Sequence, residues 1–236
     1  MAGKKEKKKK KKLLRVLISY TVKLFFLFFL IAVLQVVSLR YIDPPFSFST
    51  AVLMLKNTFT DKKYIIPEGE WRPLKDISPL LVKAVLASED QRFMVHNGFD
   101  FEEINLAVKD IIESKRVRGA STITMQAART VFLWHDRTVF RKLAEAYYTF
   151  LMELIIPKVR IIEIYLNMVD WGNGIIGAEA ASKKYFNVSA SDLNASQAAL
   201  LAAVLPSPHR WSPNNPNRQV LARKRKILKS MDRMHL

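Results

Sequence analysis

The sequence predicts a mainly α-helical domain held behind one N-terminal membrane-spanning helix. Three observations lead there. Apolar residues recur at helical spacing through most of the chain beyond residue 78, alternating strand patterns are almost absent, and a nearly unbroken apolar run, LLRVLISYTVKLFFLFFLIAVLQVVSLR, lies close to the N-terminus. With 236 residues, half of them hydrophobic, the chain can build one good core plus an appendage. No internal repeat is apparent.

The first element is a basic tail, residues 1–12. Its KKEKKKKKK stretch supplies +7 of the formal net charge of +17. Such a run reads as a disordered tail that would suit nucleic acid or anionic lipid. The apolar run beside it favours lipid, so no nucleic-acid partner is expected. Residues 13–39 form the expected anchor. Leu24 to Leu39 is short for a bilayer, but counting back to Val16 gives 24 residues. That length spans if Lys23 snorkels or the helix tilts. Lysines before the span and few after it place the N-terminus in the cytoplasm and the rest outside. A signal peptide cleaved near Ser38 is the alternative, though the apolar stretch exceeds a usual signal core.

A juxtamembrane linker, residues 40–70, follows. Asp43-Pro44-Pro45 breaks the helix. Phe46, Phe48, Val52, Leu53, Met54, Leu55 and Phe59 are unusually apolar for a linker. They either pack into the core or rest in the membrane surface. The domain proper is expected over residues 71–236. Ser78 is a good N-cap and Pro79 a good first-turn residue for a helix ending near Glu89. Further helices are predicted over Phe101–Ser114, Ser121–Phe132, Val139–Ile156, Val159–Met168, Ile175–Tyr185 and Ala195–Leu205. Asn194 and Gln197 have the spacing of a capping box before the last of these. A basic amphipathic helix, Arg218 to Met231, carries Val220, Leu221, Ile227 and Leu228 on its apolar side.

The chain has no cysteine, which excludes disulfide scaffolds, thiol catalysis and Cys-ligated zinc. No second histidine stands at metal spacing from His96, and Ser121 with His96 makes no credible triad. Four polar clusters remain. They are Glu89-Asp90…Phe93…His96-Asn97-Gly98, then RGASTITMQAART (118–130), RTVFRKLAEA (137–146) and KVRIIEIYLNMVDWGNGIIGAEAASKKYF (158–186). Taken singly, each has an ordinary reading: solvated acids, a structural histidine, or ion pairs on a helix surface. Ser121 and Thr122 at a helix start can bind an anion through hydroxyls and free N–H groups. Five of the seven glycines, at 98, 119, 172, 174 and 177, sit beside these clusters. Glycine goes where backbone turns sharply or approaches a ligand.

Together the clusters resemble the peptidoglycan glycosyltransferases of glycosyltransferase family 51. The family's Glu-Asp-x-x-Phe-x-x-His-x-Gly is matched by Glu89, Asp90, Phe93, His96 and Gly98. Its Gly-x-Ser-Thr-Ile-Thr-x-Gln is matched by Gly119, Ser121, Thr122, Ile123, Thr124 and Gln126. Arg141, Lys142 and Glu145 match Arg-Lys-x-x-Glu, and Glu163, Tyr165, Leu166 and Asn167 match Glu-x-Tyr-Leu-Asn. The resemblance runs from about Trp71 to Pro213. Because the sequence ends soon afterwards, without room for a transpeptidase, a monofunctional member is expected. Three positions depart from the pattern. Met125 replaces the first of a usual Gln-Gln pair, with loss of a polar contact near substrate. Arg129 stands where lysine is common, which keeps the charge. Gln197 replaces a usual glutamate and still suits a cap.

The resemblance implies a lysozyme-like helical fold at the bacterial inner membrane, with the catalytic domain periplasmic. Its implied partners are lipid II, the growing glycan strand and the membrane, with room for other cell-wall synthesis proteins. The implied reaction joins lipid II into β-(1→4) glycan with inversion and releases undecaprenyl pyrophosphate. Glu89 is then the general base, its pKa raised by burial, while Asp90 holds the turn and His96 is structural. Glu145 is the second acid, positioning the leaving phosphate directly or through a divalent ion; no cofactor is obligatory. Arg129 and Arg137 fall where the family's pyrophosphate-binding cations lie, and Ser121, Thr122 and Gln126 are substrate contacts. Two other functions fit parts of the pattern. A lytic enzyme would also use a glutamate at a helix end, and a scaffold would use only the basic surfaces. The cations favour a phosphate leaving group, and the intact acid motifs favour catalysis.

Overall fold

The apolar run forms one continuous helix, α1 (Ala2–Leu39), in a computed structural model that describes residues 2–61, 63–113, 119–134, 136, 138–172 and 174–234. The helix runs back through the lysine run. Lysine is a good helix former, and nothing between Lys12 and Leu13 breaks the chain. The segment Lys11–Leu39 is long and apolar enough to cross a membrane. At 1.5 Å per residue it reaches about 43 Å, more than the ~30 Å hydrocarbon core, so it would tilt. Its last turns dock on the domain. Ala32, Val36 and Leu39, at i, i+4 and i+7, are buried. Tyr148 Oη donates to Gln35 Oε1 at 2.7 Å, and Arg160 donates to the Leu39 and Ile42 carbonyls while pairing with Asp43 at 2.7 Å.

The linker is not featureless. Ser47 caps α2 (Phe48–Phe59) by accepting from Thr50 N. Among its residues only Thr50 is buried, while Phe46, Met54, Leu55 and Phe59 are exposed. The apolar linker residues thus do not join the core.

The domain's helices are α3 (Pro79–Glu89), α4 (Phe101–Ile112), α5 (Ile123–Phe132), α6 (Val139–Ile155), α7 (Lys158–Met168), α8 (Ala178–Phe186), α9 (Ala195–Val204) and α10 (Arg218–Met231). Each predicted helix is present, with ends set by caps. Ser78 accepts from Leu80 N ahead of Pro79, Asp100 caps α4 by accepting from Glu102 and Glu103 N, and Asn194 with Gln197 completes the capping box. Helix α4 stops at Ile112, and Ser114 lies outside the described residues. One boundary is wrong by a whole element. Ile175–Ile176 is not the start of α8 but a short strand, β2, pairing in parallel with β1 (Glu68–Gly69). An apolar pair beside glycines serves a strand as well as a helix, and its partner lies far back in the chain.

Two packed groups make the core. In one, α3, α9 and α10 pack against one another, and the run of buried Ala198, Ala199, Ala202 and Ala203 on α9 lets the backbones approach closely. In the other, α5 packs on both α6 and α7, the latter burying Ile161, Ile162, Ile164, Tyr165 and Leu166. The Glu-x-Tyr-Leu-Asn residues do part of the bracing. Glu163 accepts from Leu74 N at 2.6 Å, and Asn167 bridges the backbone N and O of Arg72.

Gly177 shows what one of the flagged glycines does. It has φ +85°, and a Cβ there would lie 2.6 Å from the Asn167 carbonyl oxygen. Gly177→Ala would combine left-handed strain with a backbone clash, and is expected to lower stability by about 2–4 kcal/mol. Chemical denaturation of the full chain in detergent would measure it; an unchanged midpoint would show that the loop relaxes freely.

Candidate active site

Helix α3 ends at the two adjacent acids, and their fates differ. Asp90 is the C-cap and is buried. Its carboxylate meets His96 Nε2 at 2.9 Å and accepts from Ile123 N at 3.0 Å. The anion at the start of α5 is thus Asp90 itself, which joins two helices. That fixes the turn, as expected of Asp90, and makes His96 a structural partner.

Glu89 turns the other way, into a cleft of about 1040 Å³ whose lining includes Ser121, Gln126, Trp211, Arg223 and Lys226. Its side chain is 12% exposed. That is closed enough to strip water from the carboxylate and open enough for a hydroxyl to reach it. Burial pushes its pKa above the ordinary glutamate value. Hydrogen bonds from Gln126 and Ser88 and the charge of Arg223 pull it partly back, while neighbouring Asp90 pushes it up. Gln126 Nε2 donates to Oε2 at 3.2 Å and Ser88 Oγ to Oε1 at 2.9 Å.

The second acid is built differently. Glu145 is fully buried on α6, with Arg141 bonded to Oε2, Lys142 bonded to Oε1 and Arg129 Nη1 3.8 Å from Oε2. Three cations around one carboxylate leave a local excess of positive charge. Arg141 is nearly buried, whereas Arg129 and Lys142 keep 39% and 48% of their side-chain surfaces exposed. The exposed pair can meet an incoming anion; Glu145 and Arg141 hold it in place. Gln126, which touches Glu89, and Arg129, which faces Glu145, are i and i+3 on α5. One helical turn, about 4.5 Å of rise, therefore links the raised-pKa carboxylate to the cations.

The remaining predicted contacts separate. Ser121 lines the cleft, half-buried. Thr122 lines it too, but its hydroxyl donates to Gly98 O at 2.6 Å and caps α5 by accepting from Met125 N, so that group is already engaged. Met125 is buried and does not line the cleft, so its substitution for glutamine removes no contact there. Arg137 lies outside the described residues.

Ligand atoms of Asp90, His96 and Asp100 lie within 4.8 Å of one another, close enough to consider a metal. Their carboxylates already serve Ile123 N and the α4 cap. Glu145 is likewise engaged on both oxygens by cations. Neither donor set fits a divalent ion without displacing those partners.

Sequence reasoning missed Ser88 and Arg223 and gave Tyr165 no role. Tyr165 Oη donates to Gln126 Oε1 at 3.3 Å, and Arg223 Nη2 donates to Ser88 Oγ at 3.1 Å. A signal for Arg223 existed. It falls at i+3 from Val220 and i−4 from Ile227, both buried, which puts one cation on the inward side of α10.

The sequence pattern of the family described as Transglycosylase matches residues 60–232. A protein of Bdellovibrio bacteriovorus named biosynthetic peptidoglycan transglycosylase is 44% identical over 210 residues, covering 89% of this chain and 84% of that protein. Its namesake from Shewanella oneidensis is 44% identical over 213 residues, 90% of each chain. The one from Aeromonas hydrophila is 43% identical over 222 residues, 94% of this chain and 93% of the relative.

Proposed function

The chain belongs to the transglycosylase family and is a peptidoglycan glycosyltransferase, and from that premise we propose that Glu89 is its general base and that Arg129 and Lys142, held by Glu145, receive the leaving pyrophosphate. The observation that carries the reading is the pairing of a mostly buried carboxylate at the cleft with a cation cluster one turn of α5 away.

A growing glycan still carrying its lipid pyrophosphate is the donor, and a fresh lipid II is the acceptor. Glu89 takes the proton from the acceptor's 4-hydroxyl as that oxygen attacks the donor's anomeric carbon. The bond to pyrophosphate breaks on the opposite face, so the α-linked donor becomes a β-(1→4) glycan. Undecaprenyl pyrophosphate leaves with the electron pair, its charge met by Arg129 and Lys142. The family resemblance gives Arg137 the same role. Ser121 and Gln126 line the cleft as substrate contacts, and the Thr122 hydroxyl is held by Gly98 O and the start of α5. No divalent ion is required, because the cations already oppose the leaving charge.

Incubating the purified chain with labelled lipid II tests the reading. Glycan polymer with released undecaprenyl pyrophosphate is the expected product. Fragmentation of preformed glycan would support a lytic enzyme, and no product would leave a scaffold.

The apolar α1 fits a single-pass anchor, and we propose that it leaves the N-terminus in the cytoplasm and the domain periplasmic. A reporter fused after residue 40 is then expected outside the cytoplasmic membrane and membrane-bound. A soluble, shortened product would mean cleavage, and a cytoplasmic reporter would reverse the topology.

A further inference from the structure

A buried base must be aimed as well as tuned, and each oxygen of Glu89 is held by its own relay. We propose that Tyr165 and Arg223 are positioning residues for Glu89, Tyr165 acting through the Gln126 amide on Oε2 and Arg223 through the Ser88 hydroxyl on Oε1. The inference rests on Glu89 being the base.

The first relay turns on the two ends of an amide. Gln126 donates to Glu89 only while its NH₂ faces the carboxylate, at 3.2 Å. Its other end is then an oxygen at the edge of the core, which needs a donor. Tyr165 supplies one. Its ring is buried within α7 and its hydroxyl reaches Gln126 Oε1 at 3.3 Å. The ionised carboxylate only accepts, so it fixes which end of the amide faces it, and Tyr165, donating to the other end, holds the amide in place against Glu89.

The second relay comes from α10. Arg223 is fixed by donating through Nε to Ala203 O at 3.2 Å. Its Nη2 donates to Ser88 Oγ at 3.1 Å and lies 3.7 Å from Glu89 Oε1. With a lone pair of Ser88 Oγ so occupied, its single proton is directed to the acceptors beyond, Glu89 Oε1 at 2.9 Å and Ala202 O at 3.2 Å. A basic residue on the inward face of α10 thus works at the site.

The charged and titratable groups around Glu89 are Asp90 on its own segment, Arg129 on α5, Tyr165 on α7, and Arg223 with Lys226 on α10. Both relays favour the ionised carboxylate against burial and Asp90. Removing either should therefore raise the pH at which Glu89 loses its charge.

The test is lipid II polymerisation across pH by the full chain and by Tyr165→Phe, Ser88→Ala, Arg223→Gln and Arg223→Lys. Tyr165→Phe and Ser88→Ala are expected to lower kcat about tenfold with KM little changed, and to move the acid limb of the profile to higher pH. Arg223→Gln should do the same, and Arg223→Lys should recover part of the loss. A purely structural role would lower the melting temperature and leave the acid limb in place. Should Tyr165→Phe fail to fold, Ser88→Ala still decides the matter, since it removes one part-buried hydroxyl from the last turn of α3. Folded variants with wild-type rate and acid limb, beside an inactive Glu89→Gln, would overturn the relays alone. A fully active Glu89→Gln would instead overturn the base on which they rest.

Discussion

Glu89→Gln is expected to lower lipid II polymerisation by about 10²–10⁴-fold while the protein stays folded. The amide keeps the shape of the side chain, and its one carbonyl oxygen can still accept from either Ser88 or Gln126, so one of the two bonds is kept and the cleft should survive. What it cannot do is take a proton. Lipid II binding should persist, because the cations and the cleft lining are untouched, and the loss should fall on kcat. Asp90→Asn makes a useful contrast. Asp90 is joined to His96 and to the start of α5, so its replacement should first lower the melting temperature. Circular dichroism with polymerisation assays on both variants separates the two acids.

The second large effect is expected at Glu145. Glu145→Gln leaves Arg141, nearly buried, without its full countercharge, and lets Lys142 and Arg129 drift from their places. Breaking a buried ion pair by removing one partner typically costs about 3–5 kcal/mol. A glutamine still offers one carbonyl, so the lower end is expected. Turnover should fall as well, through the leaving group rather than the proton. The discriminating readout is the acid limb of the rate profile, which should stay where it is in Glu145→Gln. Arg129→Ala should lose activity with little loss of stability, because its side chain is part-exposed. A fully active Glu145→Gln of lowered stability would show that the cluster is only a structural ion pair.

Much of this was legible because the relevant signals are local. Ser78-Pro79 marks the start of α3, and Asn194 with Gln197 marks that of α9, since a cap needs only a few neighbouring residues. The four polar clusters were also visible, and the structure brings members of all four around Glu89, Gln126 and Glu145. What stayed hidden depends on partners far away in the chain. Ile175–Ile176 becomes a strand only because Glu68–Gly69 lies beside it. The helix-start anion site at Ser121-Thr122 looked open, but Asp90 already occupies it. Arg223 looked like one basic residue among several in α10, and only the packing of α10 on α3 and α9 brings it to Ser88.

The central claim is that an ionised, burial-tuned Glu89 removes the acceptor's proton. The most direct measurement is the pH dependence of kcat/KM for lipid II polymerisation by the wild type and by Glu89→Gln. Burial raises the Glu89 pKa, and only the ionised form can act. The wild-type rate should therefore fall with decreasing pH while still above the ordinary glutamate range, and the residual rate of Glu89→Gln should lack that limb. An acid limb that persists unaltered in Glu89→Gln would contradict the account.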